Sequence, residues 1–373
     1  MSTFRSIVVP CDFVLSHVFV TLSVIAIYIM KKYLSDYTLH WLLEEENPHI
    51  RYITLRDILG MDIGSTEMLR EYEKLRAARE SMRFFTSEKN GIMGDSTNFD
   101  IYYRGAMWCF AEAVEYGYDV REEVMRRTAA YIIHKSQMQS GGFTLNWKPE
   151  VEVACRTGDM TKYLILAGSR DAGIERGIEW ILKHQRHDGG WLHCPLAGTC
   201  DLLKFLFFRR SGSGLAREGD SGTPSCLYAS IACSMALVHY DKEFPEKRSS
   251  LERAAEFFLD QRMFLNTKHP RKHISTIRKT DVTQLGYPVL SQYDILYGLI
   301  FIARAGYFND SRAGGAFNLI ISKQHVDGVW TMESARTGML FGDVKKKSVL
   351  GKRSKWVTLN AMRMLKHADL EKF

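Results

Sequence analysis

The sequence predicts an all-α protein made of repeated helical hairpins, and three observations carry that prediction. Apolar residues recur at helical spacing from Trp41 onward. Only 8 prolines occur in 373 residues, which favours long helices over a loop-rich β fold. A loop of the form Gln, glycine, aromatic returns along the chain, and such recurrence marks a repeat architecture. The composition, 46% hydrophobic and 25% charged, is globular and allows a large core. Length alone suits two or three domains, whereas a repeat array makes one large domain, here expected over residues 38–373.

Residues 1–37 read as a separate N-terminal segment. Phe13 to Met30 carries no charge, and eighteen helical residues would span roughly 27 Å, close to the thickness of a hydrocarbon core. Lys31 and Lys32 follow directly, which would leave the rest of the chain on the cytoplasmic side of a membrane. The alternatives are an extra apolar helix on the main domain or residues upstream of the true start. Next, the tract from Trp41 to Asn47 stops at Pro48. Ile50 to Gly60 then places Leu55, Ile58 and Leu59 on one helical face and ends at glycine.

The recurring loop appears as Gln137 to Phe143, Gln185 to Trp191 and Gln324 to Trp330, with the aromatic always six residues after the Gln. Phe143 and Trp191 lie 48 residues apart, the length of one helical hairpin. A degenerate copy runs from Arg253 to Arg262, with Arg in place of Gln. A Gln amide can cap helix carbonyls and bond the next loop. Glycine allows the positive φ that turns the chain. The aromatic packs on the adjoining hairpin.

These loops resemble the QW motif of squalene and hopene cyclases and of protein prenyltransferases. The match is fullest at Arg176-Gly177-Ile178-Glu179-Trp180-Ile181 with Gln185, Gly189 and Trp191. Tyr103-Arg104-Gly105, Cys155 to Met160, Trp191 to Pro195, Tyr293 to Leu296 and Ser354 to Leu359 resemble segments of prenyltransferase/squalene oxidase repeat proteins. The resemblance covers about residues 38–368 and implies an α/α toroid, a barrel in which inner helices alternate with outer ones. It implies an isoprenoid or other lipid in the central cavity. The sequence departs from the family in lacking the Asp-x-Asp-Asp motif of class II cyclases and the Asp-Asp-x-x-Asp motif of class I synthases.

Within such a toroid, the turn after each loop feeds an inner helix, and the candidate chemistry gathers at those starts. Cys155, Cys194 and Cys226 are expected at one rim, where Cys226-Leu227-Tyr228 resembles the cysteine helix of prenyltransferase β subunits. Pro224 stands where that family carries an Asp ligand. With His193 or Asp294 these thiols have the ligand chemistry of a zinc site; the other reading is buried apolar thiols. Asp294, after Tyr293, is a ligand, a proton donor or a helix cap. Arg104, after Tyr103, would grip a diphosphate or bond loop carbonyls. Trp108 and Tyr228, with Tyr103, either line an aromatic cavity wall suited to a carbocation or belong to the core.

The net charge of +7 is concentrated in Lys268–Lys279 and Lys345–Lys355. Arg278 and Lys279 are therefore candidate head-group contacts, against the alternative of a solvated surface. No nucleic-acid motif accompanies them, and nucleic acid is not an expected partner. Seven cysteines, an odd number without close pairing, point to a reducing compartment. Two functions remain: an isoprenoid-processing enzyme of prenyltransferase or atypical cyclase type, and a non-catalytic lipid-binding or scaffold toroid.

Overall fold

The computed structural model describes residues 35–146, 150–192, 225–265, 281–290, 292–335 and 349–368. The apolar segment Phe13–Met30 lies outside them. Among the described residues no helix is long and apolar enough to cross a membrane.

Helices dominate. In chain order they are α1 (Asp36–Leu42), α2 (Pro48–Ile53), α3 (Thr66–Ala77), α4 (Arg83–Thr86), α5 (Ala106–Glu115), α6 (Glu123–Ser136) and α7 (Ala154–Leu166). They continue with α8 (Gly173–Lys183), α9 (Leu227–His239), α10 (Pro245–Asp260), α11 (Ile295–Arg304), α12 (Gly314–Ser322) and α13 (Lys355–His367). The β structure among the described residues is one parallel pair of two-residue strands, Gly286–Tyr287 beside Ser334–Ala335, with a few isolated bridges. Pro48 opens α2 at its first turn, where the missing N–H costs nothing. The helix expected over Ile50–Gly60 is α2 continued by a π turn, Thr54–Ile58, and Gly60 closes it at φ +69°.

The helices close into a toroid. α5 packs on α7, α7 on α9, α9 on α11, α11 on α13, and α13 returns to α2 and its π turn. His49 of α2 meets the end of α5 through Tyr116, ring to ring at 4.8 Å and Nδ1 to the carbonyl oxygen at 3.2 Å. Around this inner ring, α3, α6, α8, α10 and α12 each back the inner helix that precedes them, and α1 backs α13. Burial follows the layering. α7 is buried continuously from Ala154 to Leu164 and α9 from Leu227 to Leu237, while α8 buries Ile174, Gly177, Ile178 and Ile181 on one stripe. α7 and α9 approach closely because Gly158 has no side chain; a Cβ there would overlap the backbone of Ala232 and Cys233.

The three Gln loops are structurally equivalent. Gln137 Nε2 donates to the carbonyls of Gly141 (2.9 Å) and Gly173 (2.6 Å), and Gln185 Nε2 to those of Gly189 (2.9 Å) and Ser250 (2.8 Å). Gln324 repeats the bond within its loop, to Gly328 at 3.2 Å. The aromatic that ends each loop donates its backbone N–H to a hydroxyl in the next inner helix: Phe143 to Thr157, Trp191 to Ser230, Trp330 to Thr358. Both indole N–H groups reach back to the preceding outer helix, at Ile181 and Ile320. In the degenerate copy Arg253 is the counterpart of Arg176. Arg176 donates to Gln137 and Arg253 to Gln185, so each outer helix holds the loop before it.

Candidate binding cavity

Inner helices that alternate with outer ones run parallel, so the toroid has two unlike ends. One gathers the helix starts. There Asp294 caps α11, its Oδ1 accepting from Tyr297 N (2.9 Å) and its Oδ2 from Gly286 N (3.3 Å). Tyr293 is fully buried, donates to the Met263 carbonyl and stacks on Phe258. Cys155 lies buried in the first turn of α7 and Cys226 at the cap of α9. Trp108 donates to the Asp100 carbonyl and forms an aromatic group with Tyr102 and Tyr103, over which Arg156 places its guanidinium 4.4 Å from the Trp108 ring. Arg104 is exposed, and Tyr228 is buried in the inner ring. His193, Cys194, Arg278 and Lys279 lie outside the described residues. Among the described residues no three His, Cys, Asp or Glu side chains come together as a metal site.

The other end gathers the helix ends and holds a cavity of about 720 Å³. Val114, Ile165, Met235 and Ile300 supply apolar wall. Arg56, Arg121, Lys162, Arg170, Arg304, Arg363 and Lys366 line it, against the carboxylates Asp57, Glu115 and Asp119. Cations are favoured here because helix carbonyl ends carry partial negative charge.

The carboxylates are all engaged as acceptors. Asp57 accepts from Arg56 Nε (2.6 Å) and from Arg363 Nε (2.9 Å) and Nη2 (2.6 Å). Burial alone would raise its pKa, but these two guanidinium groups outweigh it and hold the carboxyl well below its usual range. Asp119 pairs with Arg121, and Glu115 accepts from Tyr163 Oη at 2.9 Å. The π turn sets this geometry: Asp57 projects into the cavity, and its main-chain carbonyl receives Lys366 Nζ at 2.7 Å.

Lys162, 2% exposed, donates to Tyr297 Oη at 2.9 Å and lies 3.9 Å from Asp159 and from the Tyr163 ring centroid. Burial opposes its charge; Tyr297, Asp159 and Glu115 more than restore it, so its pKa is raised and it stays an ammonium.

Arg304 is different. Its Nη1 lies 2.9 Å from His367 Nε2 and its Nη2 3.4 Å from His239 Nδ1. A guanidinium only donates, so both imidazole nitrogens accept and both rings are neutral. Burial, then the charges of Arg304 and its neighbours, push His239 well below the ordinary value and His367 down to about 4. Burial also lowers Arg304 itself. Its Nε–H is buried and meets no acceptor among the described residues. A buried donor without an acceptor is rare and calls for an explanation.

The sequence reading did not single out these residues. A Lys, Arg or His in the last turn of a helix reads as an ordinary dipole complement. The available signal is that α9, α11 and α13 all end on one, at His239, Arg304 and Lys366-His367.

No family sequence model matches the chain. No curated protein matches it either. Among solved structures, it is similar to the type II terpene cyclase MstE from Scytonema in complex with geranylgeranyl dihydroxybenzoate, at 12% identity over 94% of this chain and 97% of that one, with a TM-score of 0.44. The apo form of MstE gives 12% identity, 93% and 98% coverage, and 0.43. A protein from Actinoplanes gives 10%, 93%, 98% and 0.40. Likeness this distant carries no chemistry. Fold and cavity define the class: an all-α toroid with a cationic, partly apolar central cavity.

Proposed function

We propose that this protein holds in its cavity an amphiphile with an anionic head, placing the head among Arg304, Arg363 and Lys366 and the apolar part against Val114, Ile165, Met235 and Ile300. The observation that carries the reading is Arg304: a half-buried guanidinium whose Nε–H is buried and meets no acceptor among the described residues, in a cavity where cations outnumber carboxylates seven to three. A phosphate or carboxylate oxygen would supply the missing acceptor. An isoprenoid diphosphate, the ligand class implied by the repeat loops, has this combination of head and tail. An apolar segment over Phe13–Met30 would keep such a toroid beside a lipid ligand.

The cavity favours binding over acid-initiated cyclisation. Asp57 is held ionised between two arginines and so is not poised to protonate an alkene. The test is calorimetric titration of the full chain with farnesyl diphosphate, farnesol and pyrophosphate. The diphosphate should bind most tightly, with both fragments weaker. Equal affinity for farnesol and farnesyl diphosphate would sink the proposal, because the head would then contribute nothing.

A further inference from the structure

The two histidines on Arg304 give this site a second property. His239 contacts Arg304 and shares the cavity with Tyr297 from α11, Lys162 from α7, Arg363, Lys366 and His367 from α13, Arg56 and Asp57 from the π turn, and Glu115 from α5. From α10, Lys247 donates to the Tyr240 and Lys242 carbonyls just beyond the end of α9. With no anion bound, neutrality is favoured for both rings, the half-buried His239 and the exposed His367 at the mouth: each accepts an N–H from the Arg304 guanidinium and has cations around it. An anion changes both conditions. It offers Arg304 a better acceptor than an imidazole, freeing the ring nitrogen, and it places negative charge beside the rings.

We propose that this end of the cavity is a proton-coupled anion site, in which a phosphate- or sulfate-like group on Arg304, Arg363 and Lys366 makes His239 or His367 take up one proton. This rests on the anionic-head reading above. The step balances simply. Arg304 turns an N–H from the imidazole nitrogen to an anion oxygen, and that nitrogen binds a proton given up by the buffer acid and relayed by water. The new imidazolium then donates to the anion. The lowered pKa of both rings in the free protein is what leaves the proton to be taken up. Affinity should therefore rise as pH falls, whether the anion is free or the head of a lipid.

Inorganic sulfate is the decisive probe, because it remains a dianion at these pH values and any proton uptake belongs to the protein. The full chain is titrated with sulfate between pH 5.5 and 8 in buffers of different ionisation enthalpy. Where one proton is taken up, affinity rises roughly tenfold per unit fall in pH, and the heat depends on the buffer. The double variant His239→Gln, His367→Gln should bind sulfate with a flat pH profile. Glu112, whose pKa burial pushes up to about 7 against the opposing charge of Arg83, is unaltered in that variant, so any proton uptake from it would persist there. Sulfate binding with no buffer-dependent heat overturns the proposal and leaves the anionic-head reading standing, as does uptake that survives in the double variant. Absence of sulfate, phosphate and pyrophosphate binding at every pH overturns both. The wild-type heats decide the matter even if the double variant does not fold. Repeating the series with farnesyl diphosphate separates sources: tighter binding than pyrophosphate marks a lipid head, equal binding a free phosphate.

Discussion

Replacing Arg304 with Met separates a ligand-binding arginine from a structural one. Met keeps an unbranched stem of similar length and removes the guanidinium. In the free protein the change gives up a 2.9 Å hydrogen bond to His367 and a long one, 3.4 Å, to His239. Together these are worth about 1–2 kcal/mol net. It also removes the buried Nε–H that has no acceptor, which costs the wild type about 1–3 kcal/mol. It relieves repulsion with Arg363 as well. The terms nearly cancel, and Arg304→Met should alter free-protein stability by less than about 1.5 kcal/mol. With an anion at a hundred times its dissociation constant, the wild type gains about 2.7 kcal/mol, and the variant should lose most of that gain. Urea titrations with and without sulfate or pyrophosphate read both quantities. A loss above about 3 kcal/mol without anion would refute the reasoning, since that is the signature of breaking a needed buried partner. Undiminished anion stabilisation in the variant would refute it equally.

Three other outcomes test the fold, its pH response and the metal expectation. Gly158→Val must force α7 away from α9 and should cost more than about 3 kcal/mol, read as a large fall in the urea midpoint; a shift near zero would mean the helices are not in contact there. His49 donates from Nδ1 to the Tyr116 carbonyl, its Nε2 is buried with no partner among the described residues, and burial lowers its pKa to about 4. Because the unfolded chain binds the proton first, stability is full above pH 6.5 and falls toward pH 4, by up to about 3 kcal/mol from this residue; His49→Phe should flatten that slope in denaturation measured against pH. If zinc is held by Cys155, His193, Cys194 and Cys226, elemental analysis of the full chain should find about one zinc per chain, and the double variant Cys155→Ser, Cys226→Ser should abolish it; a metal-free wild type purified without chelators counts against the set.

The architecture was legible in the sequence because the loops that build it are local. Gln137, Gln185 and Gln324 each bond a glycine carbonyl four residues on, so the loop itself is written in consecutive residues, and each aromatic docks on the inner helix that follows, 14, 39 and 28 positions further along the chain. The cavity was not legible because its members meet only through closure of the ring. Asp57 and Arg363 bond across 306 positions. Lys162 and Tyr297 bond across 135. Sequence reasoning also looked to the helix starts, where caps and thiols are conspicuous. Asp294 caps α11 there and Tyr293 donates to the Met263 carbonyl 30 positions away, while the cations that line the cavity sit toward the opposite end of the inner ring.

That division follows from the parallel inner ring. Six inner helices present their starts at one end and their carbonyls at the other, so the ring that lines the lumen is electrically polar, while the antiparallel outer helices behind it oppose that polarity. Caps with acceptor oxygens, Asp294 and Ser354, suit the first end. Cations suit the second, and they can stand there without a carboxylate each, because helix carbonyls such as that of Asp57 hold them. The same carbonyls temper the site. Seven cations against three carboxylates leave an excess of four, and the six inner-helix ends, at about half a negative charge each, offset part of it. What remains is a small net attraction focused on Arg304, whose unmatched donor the helix ends do not reach. Such a cavity should bind an anionic head moderately, with an affinity that weakens as added salt screens the charges. An apolar tail along the wall would add affinity that salt does not erode, so the salt dependence of farnesyl diphosphate binding should be shallower, relative to total affinity, than that of pyrophosphate.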